Sequence, residues 1–374
     1  MSYTEVENVG WFSRIGDSIK GIGCGFLLFI IAFPLLWWNE GRAVIEATGI
    51  AAAKKACITV PADKVDPAND GKLIHVIGQA TTSEKLTDDI TKFETNALRL
   101  HRKVEIFQWL EEKKTTTEKK VGGGETKTTK YTYKQEWVSK PVDSKDFKER
   151  GHENRGNPPF DDASVNSKEG TLGAFKLGSA IGHFSTFEIL PIEAAHVEAP
   201  KGFHVEPQYL YQGNNPRSPQ VGDVRVSFES VKPAEYTIIA GQSAGAFTDF
   251  KAAQKIVFVV QKGNVTKEKV FSDMESANTM LTWVLRAVGF FCMFIGVTMV
   301  LKPLSVLADV LPFVGGIVEF GASLIGLLVA LPCTFFIIGI AWVAHRPILG
   351  ISLLVVGGVA CFFLFTKLRK PAAT

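Results

Sequence analysis

The chain has 374 residues, of which 46% are hydrophobic and 21% are charged, and its net charge is +3. Its mean hydropathy is +0.13. The apolar runs are concentrated in residues 21–38 and 281–374, whereas nearly all charged residues lie in 41–280. This division excludes an ordinary soluble enzyme and also a transporter with many spans. The aromatic content of 11% excludes a disordered chain, and the balanced charge argues against nucleic-acid binding.

The first apolar run, residues 21–38, predicts a membrane-spanning helix. It contains no charged residue and would form about 27 Å of helix, close to the thickness of the hydrocarbon core. Trp37 and Trp38 at its end are typical of an aromatic interface anchor. Gly21 and Gly25 form a G-x-x-x-G pair, which lets a neighbouring helix approach closely. A signal peptide is the alternative, but its apolar core is usually shorter and small residues follow it.

Three further apolar runs predict three more spans, at residues 280–301, 321–344 and 348–366. Arg286 lies near the start of the second span, where it either reaches the interface or pairs within the bundle. Arg346 lies in a short polar turn between the third and fourth spans, which therefore form an antiparallel hairpin. Residues 302–320 are interrupted by Pro and Gly, so we expect an interfacial or broken helix there, with a re-entrant segment as the alternative.

Four spans would place both termini on one side of the membrane. Residues 1–20 would form a short cytoplasmic segment and residues 367–374 a basic cytoplasmic tail, because Lys and Arg are concentrated in cytoplasmic flanks. Residues 39–279 would then form a domain outside the cytoplasm of a bacterium or in the lumen of a eukaryotic organelle.

The composition of residues 39–279 predicts a β-rich α+β insert of one or two subdomains. Alternating apolar residues predict strands at 71–80, 98–110, 131–138, 205–212, 221–229, 235–240 and 255–261. Residues 113–130 are rich in Lys, Glu and Thr around three glycines, which predicts a long solvated β-hairpin. We expect helices at 43–56 and 270–277, and a helix followed by a strand within 160–189.

A G-x-S-x-G motif at residues 241–245 is the clearest indication of an enzyme, because it follows a predicted strand and would expose Ser243 as a nucleophile. The histidine that must accept its proton is missing from the expected place, since only His345, between two spans, follows it. A turn between two strands is therefore favoured.

The repeats His196-Val197-Glu198 and His204-Val205-Glu206 place a His and a Glu on one face of a strand, as a metal site would. A polar face on edge strands is the favoured alternative. No Cys/His cluster has zinc spacing, and we expect no metal and no cofactor.

Seven blocks of sequence follow one another in an order typical of one family. They are NEGRA at 39–43, GKLIHVIG at 71–78, LRLHRKVEIFQW at 98–109, YTYKQEW at 131–137, NPRSPQVGDVRVSF at 215–228, WVLRAVGFFCMFIGVTM at 283–299 and AWVAHRPI at 341–348. In these blocks the chain resembles the transmembrane protein 43 (LUMA) family over nearly its whole length. The resemblance implies four spans with one large insert after the first, and it assigns no catalytic residue.

The resemblance also implies a cellular role. In animals the family is associated with the endoplasmic reticulum and the inner nuclear membrane, where it organises membrane protein complexes with lamins and emerin as partners. Members also occur in bacteria, which have neither partner and where the inner membrane would be the location.

The sequence thus predicts a multi-pass α-helical membrane protein of four spans that acts as a non-enzymatic scaffold. Its expected partners are membrane lipids, a second copy of the chain and membrane or extracytoplasmic proteins, but not nucleic acid. A membrane-bound serine hydrolase using Ser243 and a channel or lipid-handling protein are the alternatives. Glu40 and Arg42 at the exit of the first span, with Arg286 at the entry to the second, would form a charge pair where the insert meets the bilayer, or each would extend to the interface. The candidate interface and packing residues are Gly21, Gly25, Trp37, Trp38, Glu40, Arg42, Arg286 and Arg346.

Overall fold

The computed structural model describes residues 2–193, 197–348, 350–352 and 355. Contacts divide the chain into two compact units. The first is β-rich and comprises Met1–Glu5, Ala51–Thr115 and Thr129–Ser272. The second contains most of the helical residues and comprises Val6–Ile50, Thr116–Thr128 and Asp273–Thr374. Most of the predicted fourth span at 348–366, and the whole tail at 367–374, lie outside the described residues.

The described residues contain three long helices: α1 (Trp11–Ala56), α2 (Lys267–Ala308) and α3 (Pro312–His345). Each is long and apolar enough to cross a membrane, and the large β-rich insert lies between the first and second of them, as predicted. The expected helices at 43–56 and 270–277 are parts of α1 and α2 rather than separate elements.

The interruption between the second and third helices is shorter than predicted. The sequence placed it at residues 302–320, but α2 continues through Pro303 to Ala308 and α3 begins at Pro312. Only residues 309–311 separate them. Proline at the start of α3 is compatible with a helix, because the first N–H groups of a helix have no intrahelical acceptor.

The larger sheet contains eight strands. They are β1 (Ser2–Val9), β6 (Arg99–Lys119), β7 (Glu125–Val138), β8 (Ala163–Asn166), β11 (Glu188–Ile189), β12 (His204–Val205), β13 (Leu210–Gln212) and β14 (Val224–Val231). The order is β1-β7-β6-β14-β13-β12, with β8 beside β6 and β11 beside β14. Strands β6 and β7 form the predicted long hairpin. Alternating apolar residues form the core of this sheet. Val104 on β6, for example, lies opposite Val226 on β14, and both are buried.

The second sheet contains seven strands. They are β2 (Ile58–Thr59), β3 (Leu73–Thr81), β9 (Thr171–Leu172), β10 (Phe175–Lys176), β15 (Ala234–Ser243), β16 (Ala246–Thr248) and β19 (Val259–Lys262). The order is β19-β15-β16-β10-β9-β3-β2, and β3 also pairs with β15. The additional pairing closes β3, β15, β16, β10 and β9 into a ring, which leaves these strands without a free edge. Buried residues such as Val76, Phe175 and Ile238 fill its core.

The remaining elements are short. Two two-stranded sheets pair β4 (Lys85–Thr87) with β5 (Glu94–Asn96) and β17 (Phe250–Ala252) with β18 (Lys255–Val257), and 3-10 helices span Pro67–Asn69 and Gly178–His183. The prediction of a helix within 160–189 is wrong, because that segment contains short strands and the second 3-10 helix. The single strand expected at 255–261 is two strands, β18 and β19, in different sheets, and 205–212 likewise divides between β12 and β13.

The N-terminal strand forms one end of the larger sheet. Strand β1 is hydrogen-bonded to β7, within the insert. The expectation that residues 1–20 and the insert lie on opposite sides of the membrane stays a prediction, which labelling of the two strands from one side of the membrane tests.

Candidate functional site

A first polar cluster, which we call the Glu40 cluster, joins the three helices. Its members are Asn39, Glu40, Arg42, Asn278, Thr282, Arg286 and Trp342. The Glu40 carboxylate is 1% exposed. Its Oε1 accepts from Arg286 Nε at 2.7 Å, and its Oε2 accepts from Arg286 Nη2 at 2.8 Å and from Trp342 Nε1 at 2.7 Å. One carboxylate on α1 is therefore bound by α2 and α3 at once.

In the other half of the cluster, the groups that accept hydrogen bonds carry no charge. Arg42 donates to Asn278 Oδ1 at 3.0 Å, to Thr282 Oγ1 at 2.9 Å and to Asn39 Oδ1 at 3.3 Å. Asn39 is fully buried and donates to the carbonyl oxygen of Thr282 at 3.1 Å. The structure therefore brings Glu40 and Arg286 together as an ion pair, whereas Arg42 bonds amide and hydroxyl oxygens instead of joining that pair.

Two tryptophans lie over the Arg286 guanidinium. The centre of the Trp283 ring is 4.8 Å from Arg286 Cζ and that of the Trp342 ring is 5.6 Å away. Both distances suit a cation–π interaction, which strengthens where water is excluded. Sequence reasoning had singled out neither ring. The only available signal was that Trp283 and Trp342 fall in two of the blocks that carry the family resemblance.

The predicted interface tryptophans are partly exposed. Trp37 is 41% and Trp38 57% exposed. The Trp37 ring meets the His345 ring edge to face at 5.4 Å. His345 Nε2 is buried and has no hydrogen-bond partner among the residues that the structure describes. It lies so close to Gly41 that a Cβ there would be 3.1 Å from it.

The G-x-x-x-G pair is used at one of its two positions. A Cβ on Gly25 would lie 2.7 Å from the carbonyl oxygen of Gly296 and 2.8 Å from Met299 Cβ, whereas a Cβ on Gly21 would meet only the end of Met299 at 3.9 Å. Gly25 therefore lets α1 and α2 of the same chain approach closely. Small residues serve this purpose in membrane helices.

A second polar cluster, the Arg14 cluster, lies among the start of α1, the hairpin tip and the α2–α3 connection. Its members are Arg14, Lys119, Glu125, Asp309 and Glu319. Arg14 Nη2 lies 2.6 Å from Asp309 Oδ2, and Arg14 Nε lies 2.9 Å from Glu125 Oε2. Lys119 Nζ bridges Asp309 Oδ1 at 3.1 Å and Glu319 Oε2 at 2.7 Å.

Backbone contacts support the Arg14 cluster. Arg14 donates to the carbonyl oxygen of Gly123, Gly122 N donates to that of Val310 at 2.9 Å, and Trp11 Nε1 donates to that of Val306 at 2.8 Å. Burial alone would lower the pKa of Lys119, but its hydrogen bonds to Glu319 and Asp309 raise that pKa above its ordinary value. Sequence reasoning missed this cluster, because its members are far apart in the chain.

The G-x-S-x-G motif forms a β-hairpin. Ser243 ends β15 and pairs with Ala246 on β16. Ala244 and Gly245 between them have φ of 48° and 75°, the left-handed conformation typical of two-residue hairpin turns. A nucleophile elbow needs a helix after its strand, and a strand follows here.

The two His/Glu repeats differ in what can be described. His204 Nε2 lies 3.7 Å from Glu206 Oε1, whereas His196 lies outside the described residues. Among the residues that the structure describes, no three or more His, Cys, Asp or Glu side chains are grouped so as to hold a metal ion.

Comparison with known proteins decides the family. The sequence profile described as Transmembrane protein 43 matches residues 106–347. The chain belongs to the transmembrane protein 43 family. This family member is 29% identical to human Transmembrane protein 43, over 97% of this chain and 93% of that protein. It is 30% identical to the mouse protein over 92% and 89%, and 27% identical to the Drosophila melanogaster homolog over 92% and 93%.

No solved structure gives a significant match to this transmembrane protein 43 family member. Its family and its three long apolar helices identify it as an integral membrane protein.

Proposed function

We propose that this protein is a non-enzymatic membrane scaffold, whose helices anchor it and whose β-rich insert binds partner proteins. The Glu40–Arg286–Trp342 contact is the observation that carries the proposal. The buried polar groups of this contact bind one another across the helices, so they do not form a catalytic site.

The β6–β7 hairpin is the proposed partner-binding element. Its outer residues 112–119 are exposed and present the side chains of Lys113, Lys114 and three threonines. An exposed polar hairpin with paired strands adds little to a core, so its length favours a contact role. Partners of this surface would be membrane or extracytoplasmic proteins, and a second copy of the chain is a further candidate.

The membrane in which the protein lies depends on whether its source is eukaryotic or bacterial. We propose the endoplasmic reticulum or inner nuclear membrane for a eukaryotic protein, and the inner membrane for a bacterial one. Lamin-like or emerin-like partners would apply only in the first case. The relatives from human, mouse and fruit fly favour the eukaryotic location by analogy.

Crosslinking of the full chain in its own membrane, followed by mass spectrometry, tests the scaffold. Lysines of the hairpin should give crosslinks to other proteins or to a second copy. Changing Lys113 and Lys114 to Gln should remove these crosslinks, while the matched change at Lys54 and Lys55 should leave them. An insert whose lysines crosslink only within their own chain would overturn the proposal.

A hydrolase using Ser243 is tested separately. The protein should not react with a fluorophosphonate probe, because Ser243 lies in a β-hairpin turn. Labelling that disappears in S243A would overturn the non-enzymatic assignment.

A further inference from the structure

A cavity of about 480 Å³ lies in the polar loop that follows β7, within the β-rich unit. Nine residues between Ser144 and Asn154 line it, and this loop contributes no strand to either sheet. The volume is in the range of sites that hold small ligands or single side chains.

Two polar atoms of the lining are buried and have no hydrogen-bond partner among the residues that the structure describes. They are His152 Nδ1 and Glu149 Oε2. His152 is only 4% exposed, so bulk water does not replace the missing partner. Buried polar groups are normally hydrogen-bonded, because an unpaired one has lost its hydration without compensation. Two such atoms in the lining of one cavity therefore favour a ligand that donates hydrogen bonds to both.

The neutral side chains of the lining already have partners. Asn154 accepts from Trp109 N at 2.7 Å and donates to the carbonyl oxygens of Trp109 and Val142. Ser144 Oγ accepts from Asn154 N at 2.8 Å. These groups hold the loop in place, and they leave His152 and Glu149 as the open acceptors.

Glu153, the other carboxylate of the lining, differs from Glu149. It is exposed, and its Oε1 accepts from Gly151 N at 2.9 Å. This hydrogen bond, together with the nearby charge of Arg155, lowers the pKa of Glu153 below its ordinary value. Glu153 is thus stabilised as a carboxylate without any ligand.

The two lysines of the lining are each paired with a carboxylate outside it. Lys145 Nζ lies 3.5 Å from Asp143 Oδ2, and Lys148 Nζ lies 3.1 Å from Glu5 Oε1. Neither lysine is therefore free to compensate the charge of Glu149.

Arg150 is the remaining cation of the lining. It is exposed, and within the described part of the chain no carboxylate pairs with it. Two carboxylates stand against it, because Glu111 is linked to Glu149 through the Tyr133 hydroxyl. That hydroxyl donates to Glu111 Oε2 at 2.6 Å and accepts from Glu149 N at 2.9 Å. The surroundings of Glu149 thus have more negative than positive charge, which favours a cationic ligand.

Aromatic rings complete the surroundings of the cavity. The His152 ring stacks on the Tyr133 ring at 3.9 Å and meets the Trp109 ring edge to face at 4.6 Å. Phe147, in the lining, lies 5.9 Å from the Tyr133 ring. Aromatic faces beside a carboxylate suit an ammonium group, which is attracted by both. We propose that this cavity binds an alkylammonium group, as carried by a polyamine or a lysine side chain, with Glu149 Oε2 and His152 Nδ1 as its acceptors.

Isothermal titration calorimetry of the full-length protein in an uncharged detergent tests this site, with spermidine and a tetralysine peptide as separate ligands. The wild type should bind, and tighter binding of spermidine or of the peptide would identify a free polyamine or a basic protein segment as the source. E149Q should lose about tenfold in affinity, or ~1.4 kcal/mol. H152F keeps a ring on Tyr133 but lacks the acceptor, so it should also bind more weakly. Failure of the wild type to bind either ligand would overturn the site.

The matched control is E153Q. Glu153 lines the same cavity, but its carboxylate is exposed and already hydrogen-bonded. This variant should bind spermidine nearly as the wild type does. Equal losses in E149Q and E153Q would show that binding follows net charge alone and would overturn the assignment of Glu149.

Thermal unfolding separates a binding role of Glu149 from a structural one. Spermidine should raise the melting temperature of the wild type, because a ligand that binds the folded state stabilises it, and it should not raise that of E149Q. Without ligand, E149Q should be no less stable than the wild type, since Glu149 Oε2 has no hydrogen bond to lose. A lower melting temperature of unliganded E149Q would assign Glu149 to the fold instead of the site. No effect of spermidine on the wild type would indicate a cavity that holds only water.

Discussion

Glu40 and Arg286, 246 positions apart in the chain, form a two-point ion pair with N–O distances of 2.7 and 2.8 Å. The carboxylate is 1% and the guanidinium side chain 14% exposed. Charges removed from water are tolerated only when they are paired and their remaining groups are hydrogen-bonded. Trp342 Nε1 supplies the additional hydrogen bond to Glu40. The pair is therefore a structural requirement of the helical unit.

Reversing either charge of this pair should destabilise the protein strongly. E40R or R286E leaves an unpaired buried charge, so each should lower the free energy of unfolding by roughly 3–5 kcal/mol. The double variant should recover part of this loss, but not all, because Trp342 would lose its acceptor. Thermal unfolding in detergent gives the comparison, and D17N, at an exposed ion pair of α1, should change little. A double variant no more stable than either single one would contradict the pairing.

Adding a methyl group at Gly25 should separate α1 from α2. In G25A the new Cβ would be 2.7 Å from the carbonyl oxygen of Gly296, and overpacking of this kind costs about 1–3 kcal/mol. Gly23 lies on the same helix with nothing within 4 Å of its Cβ position. G23A should therefore be neutral or slightly stabilising, because Ala favours helix more than Gly. Equal effects of the two substitutions on the melting temperature would show that the close approach is absent.

Removing the charge of Asp309 should loosen the hairpin tip. In D309N, Arg14 and Lys119 each lose a charged acceptor, which costs ~2 kcal/mol of local stability. Trypsin should then cut faster after Lys119 and Lys120. The control is E319Q, since Glu319 is 60% exposed and its loss should matter much less. Identical cleavage rates in wild type and D309N would show that the Arg14 cluster does not hold the tip.

The pairing of β1 with β7 predicts which sites can be labelled from one side of the membrane. Cysteines introduced at Ser2 and at Lys120, in a chain cleared of its own cysteines, should react with an impermeant maleimide from the same side of sealed vesicles. A cysteine at Phe26, within the apolar stretch of α1, should not react from either side. Labelling of the two polar positions from opposite sides would show instead that α1 carries the chain across the bilayer between β1 and the insert.

The Glu105–Arg225 pair should make the insert sensitive to acid. Burial alone would raise the pKa of Glu105, but hydrogen bonds from Arg225 and Lys103 outweigh it and hold that pKa below its ordinary value. The stabilisation is complete above the unfolded pKa of about 4.3 and is lost as the pH falls through the lower pKa of the folded state.

Unfolding midpoints between pH 3 and 7 measure this dependence. E105Q should be less stable than the wild type at neutral pH, by roughly 1–3 kcal/mol, and the difference should shrink as the pH falls below about 4. The control is E118Q, at an exposed position of the hairpin. A constant difference across this pH range would show that Glu105 does not titrate with folding.

Local patterns determined much of this fold. The uncharged run 21–38 predicted the centre of α1, and alternating apolar residues predicted β3, β6 and β14, because period and length are properties of a short stretch of chain. The alternation of threonines around three glycines likewise predicted the β6–β7 hairpin. The 3-10 helix Gly178–His183 could not be placed by a local pattern, because its apolar residues follow the shape of the core that they fill rather than a regular period.

The sequence by itself determined that apolar helices flank a β-rich insert, and it singled out Glu40 and Arg286 as possible partners. Only the tertiary structure decided that Arg42 bonds amide and hydroxyl oxygens, that Gly25 packs against α2 and that Asp309 pairs with Arg14. The physical reason is distance along the chain. No local pattern around a charged residue or a glycine identifies its partner. Its contribution to stability depends on the groups that folding brings to it from hundreds of residues away.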